Sequence, residues 1–493
     1  MDPLLSKSKF LSGLQCSRRL WLEVHRPELA PPPDPQTEAL FATGREVGEL
    51  ARQCFPRGVL VEEAYHQHDQ AVERSAEVLG QAGVPAIFEA AFSHDGVCMR
   101  ADILGRGEAG WRLIEVKSSA SLKDEHVPDL AVQHHVLSGC GVEVESDHLM
   151  RINTGYVYDG RRLDLGQLFT LDDATGAVAG MAGEVPDLLA EQRTLLASLD
   201  EPAVAPAFQC ASPWNCPFTS HCTEDKPRYW VRRLPGIGRS RFEELVAAGI
   251  EDIADIPPSF GLTERQQRAC MATRTGRPWV SADLGGELSA IVRPVRFLDF
   301  ETIGPVIPRY PGTRPYQAIP FQWSLYTVTP SGSATHTSFL SDSDLDPRRE
   351  LAESLLEALG DRGSIVAYNA GFETGIIQGL AEALPDRAAR LLGLLDRVVD
   401  LLSILRRCYY HRDLLGSFSL KQVVPVLVPD CAYGDLAIQD GAVASLEYLR
   451  MLSAPDPEER DRIRASLLDY CQRDTWAMVR IWEELGKVAE TGA

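Results

Sequence analysis

Met99-Arg100-Ala101-Asp102-Ile103-Leu104, a turn rich in glycine over 105–110, and Trp111-Arg112-Leu113-Ile114-Glu115-Val116-Lys117 read as the two strands of a hairpin. Side chains alternate along a strand, so Glu115 and Lys117 share one face while Val116 points away. Metal-assisted cleavage of a phosphodiester requires groups of this kind. Asp102 and Glu115 can hold Mg²⁺ or Mn²⁺, and Lys117 can orient a water or stabilise developing negative charge. For a lone Glu-x-Lys, a polar strand face in water is the better reading. Working outward, a strand-like run lies near 84–92, and a helix near 126–138 carries Gln133 in Asp129-Leu130-Ala131-Val132-Gln133.

Taken together, these residues resemble the PD-(D/E)xK nucleases, in particular RecB-type nucleases and the CRISPR-associated iron–sulfur exonucleases. Their pattern is an aspartate strand, a hairpin, E-x-K, and a helix bearing a glutamine. The resemblance implies a restriction-endonuclease-like core. Asp102, Glu115, Lys117 and Gln133 would form its catalytic set, with Asp102, Glu115 and Val116 at the metal. Two positions depart from the pattern. Leu137 stands where a tyrosine is usual, and Gly44-Arg45-Glu46-Val47-Gly48 ends in glycine where a metal-binding histidine is often found. Glu49, the next residue, is the candidate replacement ligand.

Cys210, Cys216 and Cys222 follow in a C-x5-C-x5-C spacing, and Cys16 lies far upstream in Gln15-Cys16-Ser17-Arg18-Arg19-Leu20-Trp21. One cysteine before the nuclease core and three after it is the layout of the iron–sulfur RecB-like nucleases. The resemblance implies a [4Fe–4S] cluster on these four thiolates, stapling the two ends of the domain. Zinc is the rival, although its sites usually show tighter C-x2-C pairs. His221 is a spare ligand or a bystander. Cys98, Cys140, Cys270, Cys408, Cys431 and Cys471 read as buried cysteines without a ligand.

Leu234-Pro235-Gly236-Ile237-Gly238, followed by a helix over 241–248, resembles the hairpin of a helix-hairpin-helix element. There, backbone amides contact phosphate without reading sequence. Arg232, Arg233, Arg239 and Arg241 add local positive charge. A plain spacer between domains is the equal alternative.

In the second half, Phe297-Leu298-Asp299-Phe300-Glu301-Thr302 is an apolar strand interrupted by two acids on one face. Acids in so apolar a strand need a partner, and metal is a natural one. Ile365-Val366-Ala367-Tyr368-Asn369 leads into a helix carrying Phe372 and Glu373. Tyr470-Cys471-Gln472-Arg473-Asp474 lies on the last helix, where i and i+4 share a face. These stretches resemble the three motifs of the DEDD exonucleases on a ribonuclease-H-like fold, tyrosine subclass. The resemblance implies two metals on Asp299, Glu301, Glu373 and Asp474, with Tyr470 positioning water. Glu373 departs from the usual aspartate. Asp400 is a supporting acid or a helix N-cap. The loop 309–323 and Gly416-Ser417-Phe418-Ser419-Leu420-Lys421 are also similar to a bacterial family of uncharacterised domains commonly fused to RecB-like nucleases. That loop clamps a strand terminus or packs on the core, and Lys421 is a candidate phosphate contact.

The 493 residues suffice for two or three domains, with 44% hydrophobic and 24% charged residues in the ordinary globular range. No apolar run approaches the ~18 residues of a membrane helix. Residues 1–10 lack a secretory pattern, so a cytoplasmic location is expected. Eleven cysteines in a reducing compartment favour metal binding over disulfides. A net charge of −21 speaks against strong non-specific affinity for a polyanion, but metal ions reverse the sign of carboxylate sites locally.

The expected architecture is α/β and multidomain, with three parts. A RecB-like domain spans 1–228, a helical connector 229–290 and a ribonuclease-H-like domain 291–493. Further expectations are helix over 170–200, a linker over 281–293 and a closing helix at about 457–488. The function expected is metal-dependent hydrolysis of DNA at two sites, in repair or defence. Cutting RNA from its 3′ end at the second site is the first alternative. An inactive nucleic-acid-binding scaffold is the other.

Overall fold

The computed structural model describes residues 5–491. Residues 1–4 and 492–493, at the ends of the two outer domains expected from sequence, lie outside the described residues. Contacts divide the chain into two units, Met1–Asp225 with Pro305–Tyr316, and Lys226–Gly304 with Gln317–Ala493. The helical connector falls within the second unit. The loop 305–316 groups with the first, where Tyr158 N donates to Thr313 O at 3.0 Å and Gly312 N to Tyr158 O at 2.7 Å.

In the first unit, β1 (Leu5–Ser6), β2 (Val59–Leu60), β3 (Ala86–His94), β4 (Val97–Arg106), β5 (Trp111–Lys117), β6 (Val144–Ile152) and β7 (Phe169–Asp173) form one sheet. Its order is β2-β3-β4-β5-β6-β7, with β1 paired to β4. β3, β4 and β5 meander antiparallel. Asp95 (φ 49°) and Gly96 (φ 70°) close the β3–β4 hairpin, and Asp-Gly suits the positive φ that a two-residue turn demands. The helix His126–Gly139 then crosses over, so that β6 runs parallel to β5. Both faces of the sheet are covered, so apolar side chains of β4 and β5 are buried on either side of it. Leu104 and Leu113 pack with Leu130, Val136 and Leu137 of that helix. Ile103 and Ile114 pack with Val47 and Ala51 of the helix Pro35–Arg52. Pro35 occupies the first turn of the latter helix, and Asp34 caps it by accepting from Thr37 N at 2.7 Å.

In the second unit, β8 (Trp279–Val280) is followed by β9 (Val295–Ile303), β10 (Ile319–Val328), β11 (Ala334–Leu340), β12 (Ile365–Ala367) and β13 (Val398–Asp400), then β14 (Tyr409–Tyr410). The main sheet has the order β11-β10-β9-β12-β13, and β8 pairs with β14 apart from it. β10 is antiparallel to both neighbours, whereas β12 and β13 run parallel to β9. Leu298 and Phe300 of β9 enter a core with Leu351, Leu355, Ile377 and Leu380. The long helix Pro457–Thr491 lies against β9 and β10, where Gln322 Nε2 donates to Leu467 O at 2.9 Å.

Several local expectations are corrected. Residues 170–173 of the expected helix are strand, because Phe169–Asp173 pairs with β6. Leu284–Ser289 is a short helix inside the expected linker. Cys98 is half-buried and Cys140 exposed, so neither belongs to the buried class in which the sequence placed it.

Candidate active sites

The hairpin places Asp102 and Glu115 on adjacent strands of the first unit. Val116 N donates to Asp102 Oδ2 at 2.8 Å, fixing that carboxylate against the neighbouring backbone. Glu115 is 2% exposed. Lys117 Nζ donates to its Oε1 at 2.7 Å and Gln133 Nε2 to its Oε2 at 2.9 Å, so the three side chains come together; alternation along the strand placed only Glu115 and Lys117 on one face. Glu49, Asp102, Glu115 and Val116 line one cleft of about 600 Å³, together with Arg45, Arg52 and Glu89.

Two further participants escaped the sequence reading. Lys7 Nζ donates to both Glu115 oxygens at 2.9 Å and lies 3.7 Å from Asp129 Oδ1. Asp129 Oδ2 also accepts from Lys117 at 2.7 Å. Asp129 sits one helical turn before Gln133, a spacing that could have exposed it. Lys7 is 108 positions from Glu115 and left no local signal.

The electrostatics split the two acids. Burial and then the Glu115 charge push Asp102 up to about 7. Burial also opposes the Glu115 charge, but Lys117 and Lys7 outweigh it and hold this carboxyl well below its ordinary range. Burial likewise opposes the Lys117 ammonium, which Glu115 and Asp129 more than restore. Opposite charges this close dominate over desolvation.

In the second unit, Asp299 and Glu301 project from one face of β9 and meet Cys471 of the last helix. One ligand atom from each of the three lies within 4.8 Å of the others. Cys471, buried as the sequence reading expected, borders the acid cluster, where its Sγ donates to Asp299 Oδ2 at 3.5 Å. Glu373 is 2% exposed on the helix Gly371–Ala383, with its Oε2 buried and lacking a hydrogen-bond partner. Its charge acts on Asp299.

Asp474 shares a helical face with Tyr470 and accepts a hydrogen bond from Tyr433, a residue the sequence did not single out. Arg473 fixes the segment bearing Tyr433 by donating to Asp435 at 2.9 Å and to Ala432 O. None of the four carboxylates is ion-paired among the described residues. Burial first, and mutual repulsion second, raise Asp299 and Glu301 well above the carboxylate range. Burial lifts Glu373 to about 8. It lifts Asp474 to about 6, partly offset by the hydroxyls of Tyr433 and Tyr470. The positive charge of Lys421 favours the charged forms of Glu301 and Asp474. Asp400 is a helix cap: its Oδ1 accepts from Leu402 N at 3.1 Å and, across the sheet, from Asn369 N at 3.0 Å.

Cys16, Cys210 and Cys216 all lie near enough to Cys222 to act on its charge. Burial and then the other three thiols push Cys222 up to about 11, against the opposing charge of Arg18. Gln15 Nε2 donates to Gln209 O at 2.6 Å and Trp214 O at 2.7 Å, tying the N-terminal segment to the cysteine loop. His221 is engaged with Glu201 at 3.1 Å rather than directed to the thiols.

The model of a family described as Domain of unknown function (DUF2779) matches residues 296–419. This stretch holds β9 through β13 and three of the acids, Asp299, Glu301 and Glu373, but ends before Asp474. No curated protein matches the chain. No helix is long and apolar enough to cross a membrane among the described residues.

Proposed function

We propose that this chain is a metal-dependent DNA nuclease with one hydrolytic site in each unit, acting in DNA repair or defence in the cytoplasm. The observation that carries the reading is the convergence of Asp299, Glu301, Glu373 and Asp474 with no ion pair to any of them among the described residues. Their mutual repulsion in a buried site is what a bound divalent cation relieves. The strand order β11-β10-β9-β12-β13 supports a ribonuclease-H-like assignment of the second unit. The β3-β4-β5 meander with its helical crossover to β6 supports a PD-(D/E)xK core in the first.

Divalent cations at these carboxylates would polarise the phosphodiester and supply hydroxide near neutral pH. The chain's own groups divide the remaining work. Lys117, a cation restrained between Glu115 and Asp129, would stabilise the negative charge that builds during attack. Gln133 fixes the second Glu115 oxygen. In the second unit, Tyr433 orients Asp474, and Tyr470 lies one turn away on the same face. The cluster of Cys16, Cys210, Cys216 and Cys222 fits a thiolate-bound [4Fe–4S] group, which would join the N-terminal segment to the loop 210–222.

The test is to purify the chain anaerobically and offer it Mn²⁺ or Mg²⁺ with DNA labelled at either end. Lys117→Ala, Asp299→Ala and the double variant run alongside. Each single variant is expected to lose a distinct set of products, with cleavage at the affected site falling about 10²–10³-fold. If wild type leaves DNA intact with either metal, the reading is wrong. Trimming of RNA through Asp299 would transfer the second site to the other polymer.

A further inference from the structure

Besides its acid cluster, the second unit holds an open cavity of about 590 Å³ lined by arginines. Arg232, Arg233, Arg265 and Arg406 face it, between the hairpin 234–238 and the turn 416–419. Arg265 and Arg406 form no ion pair among the described residues, and Arg265 Nε is buried with no hydrogen-bond partner. Burial and then the neighbouring Arg406 charge disfavour the Arg265 cation. An anion held in the cavity would offset the repulsion between half-buried Arg265 and exposed Arg406.

The cavity walls are suited to an anion of one kind. Gly236 (φ 63°) exposes backbone, Gly416 (φ 81°) packs its turn against the Arg233 carbonyl, and both hairpin and turn lead directly into helices whose N-termini adjoin the cavity. These helices, Arg239–Ala247 and Leu420–Leu427, begin after Gly238 and Ser419 without a side-chain cap hydrogen bond. Phe418 offers an aromatic face already covered by Arg265 at 5.1 Å. The same turn reaches the acid cluster as well. Ser419 lines the basic cavity, while Lys421, two residues on, acts electrostatically on Glu301 and Asp474.

We propose that this cavity binds backbone phosphates of a DNA strand whose cleaved linkage lies at the Asp299–Asp474 cluster, with Lys421 between the two. The proposal rests on the nuclease reading of the second unit. It adds that the strand runs from the acids across the turn 416–421 to Arg265 and Arg406.

The experiment measures anisotropy of labelled single-stranded DNA on full-length protein carrying Lys117→Ala and Asp299→Asn, so that neither site cuts. Adding Arg265→Glu and Arg406→Glu should weaken binding about tenfold or more and reduce the dependence of log affinity on log salt by about one to two. Arg406→Glu alone, at an exposed position, should show the same trend in a chain whose fold it does not disturb. Unchanged affinity and salt slope in both variants would overturn the proposal. So would tight binding of RNA with none of DNA. Failure of the nuclease reading shows separately, as cleavage by the Lys117→Ala chain that adding Asp299→Asn does not diminish.

Discussion

Glu115 accepts four hydrogen bonds in the first site, and their donors compete with a metal for the same oxygens. Lys7 donates to both oxygens, Lys117 to one and Gln133 to the other. Removing Lys7 leaves the carboxylate with less compensating charge and more appetite for a divalent cation. Lys7→Met is therefore expected to lower the metal-free melting temperature and to enlarge the increase produced by Mn²⁺. Differential scanning fluorimetry with and without metal checks both signs, and a smaller Mn²⁺ increase than in wild type would refute the account. In the second site, Tyr433 donates to Asp474, and Tyr433→Phe removes that hydrogen bond while keeping the ring. The expected result is a lower kcat with little change in KM, since Tyr433 positions a ligand rather than substrate.

At the level of elements, the turn between the short helix Arg412–Leu414 and the helix Leu420–Leu427 is held by close backbone approach. Gly416 has φ 81°, and a Cβ there would collide with the Arg233 carbonyl of the neighbouring hairpin. Gly416→Ala should cost about 1–3 kcal/mol from left-handed strain and displacement of the hairpin. Urea unfolding measures it, and a loss under half a kcal/mol would show that the two segments yield easily. The thiol cluster acts at the same scale, since Cys16 lies between the helices Lys7–Gln15 and Ser17–His25, while its partners lie in 210–222. Cys216→Ser is expected to abolish broad visible absorbance of anaerobically purified protein and to loosen the N-terminal segment, seen as faster proteolysis there.

For the molecule as a whole, the buried acids set the pH dependence of stability. Asp102, Asp474 and Glu373 titrate at about 7, 6 and 8 in the folded chain, against about 4 when unfolded. Between those limits the folded state binds protons that the unfolded state has released. The stabilisation is therefore complete below about pH 4 and declines as pH rises through 6 to 8. Metal-free protein should lose melting temperature from pH 5 to pH 8, and saturating Mn²⁺ should flatten the decline. Asp299→Asn should reduce the slope without metal, separating the cluster from the self-repulsion of a chain at −21.

Much of this was legible because strands and helices have fixed periods. Alternation put Glu115 with Lys117 and Asp299 with Glu301, and the helical turn put Tyr470 with Asp474, before any tertiary contact was considered. In the fold, Asp-Gly at 95–96 closes a hairpin and Asp-Pro at 34–35 opens a helix, in keeping with the backbone preferences of those residues. The α/β class followed from those same local patterns. What the sequence could not supply were partners brought together by the folded chain. Lys7 reaches Glu115 across 108 positions, Tyr433 reaches Asp474 across 41, and Cys471 meets Asp299 across 172. The segment 305–316, on the loop between two paired strands of one unit, packs with the other. No residue spacing encodes such contacts, because they depend on where the sheet ends and helix faces lie once both cores have closed.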